Sequence, residues 1–257
     1  MKHIASRDNP LVKDLHRIAS AAGRRDAPAL LDGVHLCQAW LQHQGVPQRA
    51  LFDASRLDKP ELADLAARLP AECCLALEPR LLHGLASVES DQGVLFLVQP
   101  PRPELPARVG QGCVLLDRVQ DPGNVGTLLR TSAAAGIRHV MLSEGCAAAW
   151  SPKVLRSAQG AHFALRVYEK VDLTALIARL NVALAATTLD HSQSLYDAEL
   201  PPACAWVFGH EGQGVAPDLL AAATLRLHIP HDSAAVESLN VAAAAAICLF
   251  EQRRRHG

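Results

Sequence analysis

Several absences narrow the reading before any motif is considered. No apolar run comes near the roughly 20 residues that a membrane-spanning helix needs, although 49% of the 257 residues are apolar, enough for a packed core. The seven cysteines form no C-x-x-C pair, and Cys73 and Cys74 are adjacent. That spacing supports neither a disulfide scaffold nor a zinc site, and the thiols read as small core residues. Neither sign of charge dominates: the formal net charge is −1, which excludes a wholly basic nucleic-acid binder but not a local patch. The opening MKHIASRDNPLVKDLHR is charged throughout and lacks the apolar stretch of a signal peptide, so the expected location is cytoplasmic. Neither GxGxxG after an early strand nor GxxxxGK[ST] occurs, so a dinucleotide- or P-loop-binding enzyme is unsupported.

What is present divides in two. QPPRPELPARVGQG, residues 99–112, carries four prolines and can sustain neither helix nor central strand. Residues 1–98 are expected to form a small α/β domain, 99–108 a linker, and 109–257 a second domain. In the first part, NPLVKDLHRIAS, GVHLCQAWLQH and PELADLAARL have helical character, and RALFD, CCLALE and GVLFLV read as strands. Local positive charge gathers in Lys2, Arg7, Lys13, Arg17, Arg24 and Arg25, and again in the tail, Arg253, Arg254 and Arg255. In the tail, cations complement a helix C-terminus without any partner.

After the linker, strand and helix patterns alternate: CVLLD, VGTLLRTSAAA, HVMLS, KVLRSAQ, FALRVY, LTALIARL, VALAAT, AWVFG, APDLLAAA, LRLHIP and the final alanine-rich helix. This predicts a mainly parallel sheet with helices on both faces. Ligands in such sheets gather beyond the carboxyl ends of the strands. There the sequence places Asn124, a candidate helix cap, with Arg130 a few residues on, then Glu211 between glycines, then Ser238 and Asn240. Each alone has an ordinary explanation as a cap, turn or solvated helix residue, whereas their recurrence at three strand ends points to a site.

At these residues the chain resembles the SpoU-type branch of the SPOUT superfamily of RNA methyltransferases. NVGTLLRTSAAAG matches its N-x-G-x-x-x-R block, VFGHEGQGV its G-x-E-G-x-G block, and IPHDSAAVESLNVAAAAAICLFE its I-P…S-L-N-V block. SRDNPLVKDLHRI and ALLDGVHLCQAWL also look like the ribosomal-protein-like RNA-binding module that precedes many of these enzymes. The resemblance implies a C-terminal trefoil knot, S-adenosyl-L-methionine as cofactor, a homodimer, no metal, and 2′-O-methylation of a ribose in structured RNA. Ribosomal RNA is the preferred substrate; transfer RNA and a non-catalytic RNA-binding assembly factor are the alternatives. It also implies a catalytic group of Asn124, Arg130, Glu211, Ser238 and Asn240, with Thr187, Gly209, Ile229 and Leu239 as cofactor contacts. His231 stands where the family usually has methionine, Ser233 near its usual glycine, and Pro230–Ser238 is about one residue longer than usual, which bears on the rim of the cofactor pocket.

Those implied residues suggest a division of labour. An arginine stays protonated in proteins, so Arg130 suits a phosphate anchor that lowers the hydroxyl's pKa better than it suits a base. Asn124 and Asn240 would hold backbone and substrate groups, and Glu211 would orient Arg130 or accept a hydrogen bond. Lys153 and Arg156 are further candidates for RNA contact, beside the basic N-terminal segment.

Overall fold

A computed structural model describes residues 1–21, 27–86 and 92–256. Two compact units emerge, Met1–Pro101 with Trp150–Phe163, and Arg102–Ala149 with Ala164–Gly257. The chain first passes from one unit to the other between Pro101 and Arg102. The second domain expected over 109–257 differs in one respect: Trp150–Phe163, read as part of it, groups with the first unit.

The first unit is built from β1 (Lys2–Ile4), α1 (Pro10–Ser20), β2 (Ala29–Asp32), α2 (Val34–His43), β3 (Arg49–Asp53), α3 (Pro60–Ala67), β4 (Cys74–Leu77), α4 (Pro79–His83) and β5 (Val94–Val98). Its sheet runs β1-β4-β3-β5-β2, parallel among the first three and antiparallel where β5 meets β3 and β2. The start of α1 follows from local chemistry: Asn9 Oδ1 accepts the Leu11 N–H at 3.0 Å, and Pro10 occupies the first turn, where its missing N–H costs nothing. Val12 and Leu15, three apart, then bury one face among Leu51, Leu77 and Leu95. The opposite face stays in solvent, where Lys13 pairs with Asp8 and Arg17 with Asp14, each at 3.2 Å. Arg24 and Arg25 lie outside the described residues.

The second unit begins β6 (Cys113–Leu116), α5 (Pro122–Ala134), β7 (His139–Leu142). The chain then makes α6 (Pro152–Ala158), which packs on β2 in the first unit. It continues with β8 (Arg166–Tyr168), α7 (Leu173–Ile177), β9 (Ala183–Thr187), β10 (Gln193–Ser194), β11 (Cys204–Phe208), α8 (Pro217–Ala222), β12 (Leu225–His228) and α9 (Val241–His256). All seven strands are parallel, in the order β10-β12-β9-β11-β6-β7-β8.

A parallel sheet covered on both faces needs apolar residues at every strand position. In β11 all five are buried, Ala205 and Val207 joining the core beneath α7 and α8. Trp206 and Phe208 stack on the other face with ring centroids 6.1 Å apart. The Trp206 indole N–H donates to Gln252 Oε1 of α9 at 2.7 Å, and Gln252 Nε2 donates to the Pro201 carbonyl at 2.9 Å. This buried amide is therefore satisfied at both ends. Among the described residues no helix is long and apolar enough to cross a membrane.

Candidate active site

Because β12, β9, β11 and β6 are neighbours, their carboxyl ends gather four loops that are far apart in sequence. Ile229 follows β12, Thr187 ends β9, Gly209 and Glu211 follow β11, and Asn124 follows β6. The register keeps them level: Thr187 lies opposite Leu227, Val207 opposite Ala186, and Phe208 opposite Leu116.

Asp121, rather than Asn124, is the N-cap of α5: its Oδ1 accepts the Asn124 N–H at 2.9 Å. Asn124 sits inside the first turn, which frees its side chain. Its Nδ2 donates to Glu211 Oε1 at 3.0 Å, and its Oδ1 accepts from Asn240 Nδ2 at 3.0 Å. Asn240 Oδ1 in turn accepts the Ala242 and Ala243 N–H groups at 2.9 and 3.2 Å, capping α9. The sense of this chain is forced from both ends. Helix N–H groups can only donate and an ionised carboxylate can only accept, so each amide has one possible orientation.

Glu211 is the anchor of the chain. Oε1 also accepts the Asp121 N–H at 3.1 Å, and Oε2 accepts the Gln120 N–H at 3.2 Å. Partial burial pushes its carboxyl pKa up, but the hydrogen bonds from Asn124, its own backbone N–H, Asp121 and Gln120 outweigh this and hold it below the ordinary value. A carboxylate so held is a weak proton acceptor at neutral pH and a good positioner of the 120–124 turn.

The loop carrying Glu211 is itself rigid. His210 and Gly214 exchange backbone hydrogen bonds of 3.0 and 2.8 Å, closing a five-residue turn. His210 Nδ1 accepts the Gly212 and Gln213 N–H groups at 2.9 and 3.2 Å, which places the neutral ring's proton on Nε2. A Cβ at Gly209 would lie 2.2 Å from the Gly214 carbon and the Val215 nitrogen, so no side chain fits there.

Two participants escaped the sequence reading, Asp117 and Arg118. Arg118 Nε and Nη2 each meet an Asp117 carboxylate oxygen at 3.0 Å, while Nη1 donates to Gln213 Oε1 at 2.8 Å. Asp117 Oδ2 also accepts the Ala216 N–H at 2.8 Å. Together they brace the end of β6 against the 210–214 turn. The hydrogen bonds and charge of Asp117 raise the Arg118 pKa, so it stays a cation. Arg118 has φ 55°, a conformation that disfavours a non-glycine residue. That departure is legible only from the structure.

The remaining candidates are less connected. Arg130 is exposed on α5, and among the described residues its guanidinium forms no hydrogen bond or ion pair. Six helical residues separate it from Asn124, about 9 Å along the axis and roughly 120° around it. Glu211 is therefore bonded to Asn124 and not to Arg130. Ser238 is exposed and Leu239 half-buried in the segment before α9. There His231 spans the turn, Nδ1 lying 2.8 Å from the Ile229 carbonyl oxygen and Nε2 3.3 Å from that of Glu237. In the same segment the Ala235 N–H donates to the Asp232 carbonyl at 3.1 Å, closing a tight turn. Among the described residues no three His, Cys, Asp or Glu side chains cluster as a metal site would require.

The tail arginines are spent on the protein itself. Arg253 donates to the Ala134 carbonyl, Arg254 pairs with Glu251, and Arg255 donates to the Leu195, Tyr196 and Ala198 carbonyls.

Comparison with known proteins assigns the chain to a family. Residues 111–250 match the model of the SpoU rRNA Methylase family. An uncharacterised tRNA/rRNA methyltransferase of Synechocystis is 34% identical over 98% of this chain and 93% of its own length. The 23S rRNA (guanosine(2553)-2′-O)-methyltransferase RlmP of Bacillus subtilis is 33% identical over 98% of this chain and the whole of that protein. In fold, an AdoMet-bound rRNA methyltransferase from Sinorhizobium meliloti matches with a TM-score of 0.84 at 24% identity, covering 99% of this chain and 98% of that one.

Proposed function

The chain belongs to the SpoU rRNA methylase family, and from that premise we propose that it methylates the 2′-hydroxyl of a ribose in ribosomal RNA. The observation that carries the reading is the continuous Asn240–Asn124–Glu211 hydrogen-bond chain across three family blocks. Near-equal length and alignment with the RlmP protein support large-subunit ribosomal RNA as the substrate.

S-adenosyl-L-methionine, which the Sinorhizobium protein holds, supplies an electrophilic methyl group when bound. The residues present fit such a group: Thr187, Gly209 and Ile229 stand at the carboxyl ends of three adjacent parallel strands, where ligands of such sheets gather. Leu239 adds an apolar contact from the segment before α9.

Around this ledge the chain's own residues bind and orient. Asn124 and Asn240 hold the loops in register, and Glu211, kept ionised, fixes both N–H groups at the start of the 120–124 turn. Arg130, a free cation, takes the phosphate next to the target ribose and lowers the hydroxyl's pKa through its charge. Ser238 is the hydroxyl nearest in sequence to Asn240 and completes the polar group. Arg130→Ala should lower kcat/KM about 100-fold, whereas Arg130→Lys should recover much of that if a point charge suffices. Unchanged turnover in the alanine variant would remove Arg130 from the mechanism.

The reading includes a trefoil knot and a homodimer. The knot is supported by the strand order, in which the late β12 lies between the earlier β9 and β10. The homodimer is supported by Phe250 of α9, a large apolar side chain left 46% exposed. The deciding experiment incubates the protein with methyl-labelled S-adenosylmethionine and RNA from a strain lacking the gene. Label in large-subunit RNA that blocks alkaline cleavage at one nucleotide is expected, the counterpart of the Bacillus guanosine being examined first. Label in transfer RNA only would redirect the substrate, and no label despite cofactor binding would leave a non-catalytic RNA binder.

A further inference from the structure

The first unit holds a cleft of about 160 Å³ for which the site above has no use. It lies wholly within that unit, beside the turn from β2 into α2 where α6 packs on β2. Leu36 and Leu155 give it an apolar lining, and Asp32, Gln92, Arg156 and Gln159 add polar groups from three separate stretches of chain.

The turn is built closely around Gln92. Gly33 has φ 99°, and a Cβ there would lie 2.6 Å from Gln92 Oε1. That oxygen accepts the Val34 N–H at 2.9 Å, serving the start of a helix whose own N-cap has no side chain. With its oxygen committed, Gln92 keeps its Nε2 as a donor without a partner among the described residues. Gln159 is the converse: its Nε2 donates to the Arg156 carbonyl at 2.7 Å, leaving Oε1 as an acceptor. The Arg156 guanidinium is exposed and unpaired among the described residues.

An apolar surface, one amide donor, one amide acceptor and a planar cation suit the face and edge of an unstacked nucleobase. A lone phosphate would be served by cations alone, and the Asp32 carboxylate on the same wall would repel it. The volume is also well below the roughly 300–1,000 Å³ of pockets for larger ligands. We propose that this cleft receives one unstacked base from a single-stranded or loop segment of the RNA substrate, Arg156 stacking on it and the two glutamine amides reading its edge. The proposal rests on the RNA-methyltransferase reading for its ligand, but not on catalysis.

The test uses the full chain and two exposed positions. Gln159→Gly removes the acceptor without adding strain, because Gln159 has φ 50°; Arg156→Ala removes the stacking plane. Binding is measured across a salt series with ribosomal RNA from a strain lacking the gene and with fluorescein-labelled single-stranded RNA hexamers. Gln159→Gly should weaken ribosomal RNA binding about tenfold without altering the salt dependence, since no charge is lost. KM for RNA should rise correspondingly, with kcat and S-adenosylmethionine affinity unchanged, which a merely unfolded variant would not show. Wild-type affinity in Gln159→Gly overturns the proposal. So does a defect confined to Arg156→Ala that appears as one fewer unit of salt slope, the mark of a phosphate contact. Absence of RNA binding by the unaltered protein also overturns it. If that protein binds RNA but transfers no methyl, the catalytic reading fails while the binding comparison still decides the cleft.

Discussion

Asn240 does two tasks with one amide, and its two ends can be separated. Its oxygen caps α9 and its nitrogen holds Asn124. Asn240→Asp keeps an oxygen for the cap, where aspartate serves as well as asparagine, but turns an acceptor toward Asn124 Oδ1. Thermal stability should therefore stay near that of the unaltered protein while kcat falls about 100-fold, the scale of an ångström's misplacement. Asn240→Ala should lose both, with about 1 kcal/mol less stability. Equal turnover in the aspartate variant and the parent would show that the link is idle. Glu211 carries the matching pH prediction. A carboxyl whose folded pKa is depressed contributes stability that is fully present above its unfolded value, about 4.3, and is lost as pH falls through the lower folded value. The 120–124 turn should accordingly hold through mild acid and loosen below it. Glu211→Gln, which sets an N–H against the Gln120 or Asp121 N–H, should loosen it already at pH 7. Hydrogen exchange at residues 120–124 as a function of pH reads this directly.

At the scale of elements, the brace from Arg118 to Gln213 joins the end of β6 to the turn after β11. Two effects oppose each other at this position. Arg118→Gly relieves the left-handed backbone at φ 55° but abolishes the bidentate pair with Asp117 and the bond to Gln213. Arg118 is partly exposed but Asp117 is buried, so the substitution leaves a buried carboxylate with the Ala216 N–H and without its cation, and the melting temperature should fall by several degrees. Turnover should drop by an order of magnitude or more, since the Glu211 turn loses its tie. A large fall in melting temperature with kcat retained would make the brace structural only.

Most elements are legible because periodicity and punctuation agree: Pro10, Pro60, Pro152 and Pro217 all open helices, and Gly136 closes α5 at φ 91°, although α5 itself starts at Pro122, three residues before the expected Val125. The strands β1, β2 and β10 and the short helix α4 were not read. β1 is mostly exposed and β10 is a two-residue strand, so neither carries the continuous apolar run that marks the other short strands. FALRVY, read as strand throughout, begins as a 3-10 turn over Ala161–Ala164, and β8 starts at Arg166. Within the site, residue types and order were legible but not their wiring. That Asp121 caps α5, that Asn124 faces Asn240, and that Arg130 is turned away from both depend on helix phase and on which strands are neighbours.

The chain as a whole is interleaved. A boundary at the proline-rich stretch is visible in the sequence, yet cutting there does not release a complete first unit, because Trp150–Phe163 belongs to it. Trp40 packs edge-on to Trp150 and Phe163, with ring centroids 6.5 and 5.7 Å away. Gly160, at φ 83°, lets the chain pass so that a Cβ there would lie 3.7 Å from Ala39 Cβ and 3.8 Å from Leu36 Cδ2. A fragment ending at Pro101 would thus bare Trp40 and Leu36 of α2, and each large apolar side chain so exposed forgoes about 1.5–3 kcal/mol of burial. For a unit of this size that is a large share of the total. The 1–101 fragment should bind a hydrophobic dye and unfold without a sharp transition. The same fragment with residues 150–163 appended through a flexible Gly/Ser linker should regain cooperative unfolding, followed by near-ultraviolet circular dichroism from Trp40 and Trp150. Cooperative unfolding of 1–101 alone would show that the returning segment decorates the first unit without completing it. An interleaved chain also lets the element that closes the base-sized cleft, α6, be specified by sequence embedded in the methyltransferase half, so that RNA reading and catalysis are inherited together.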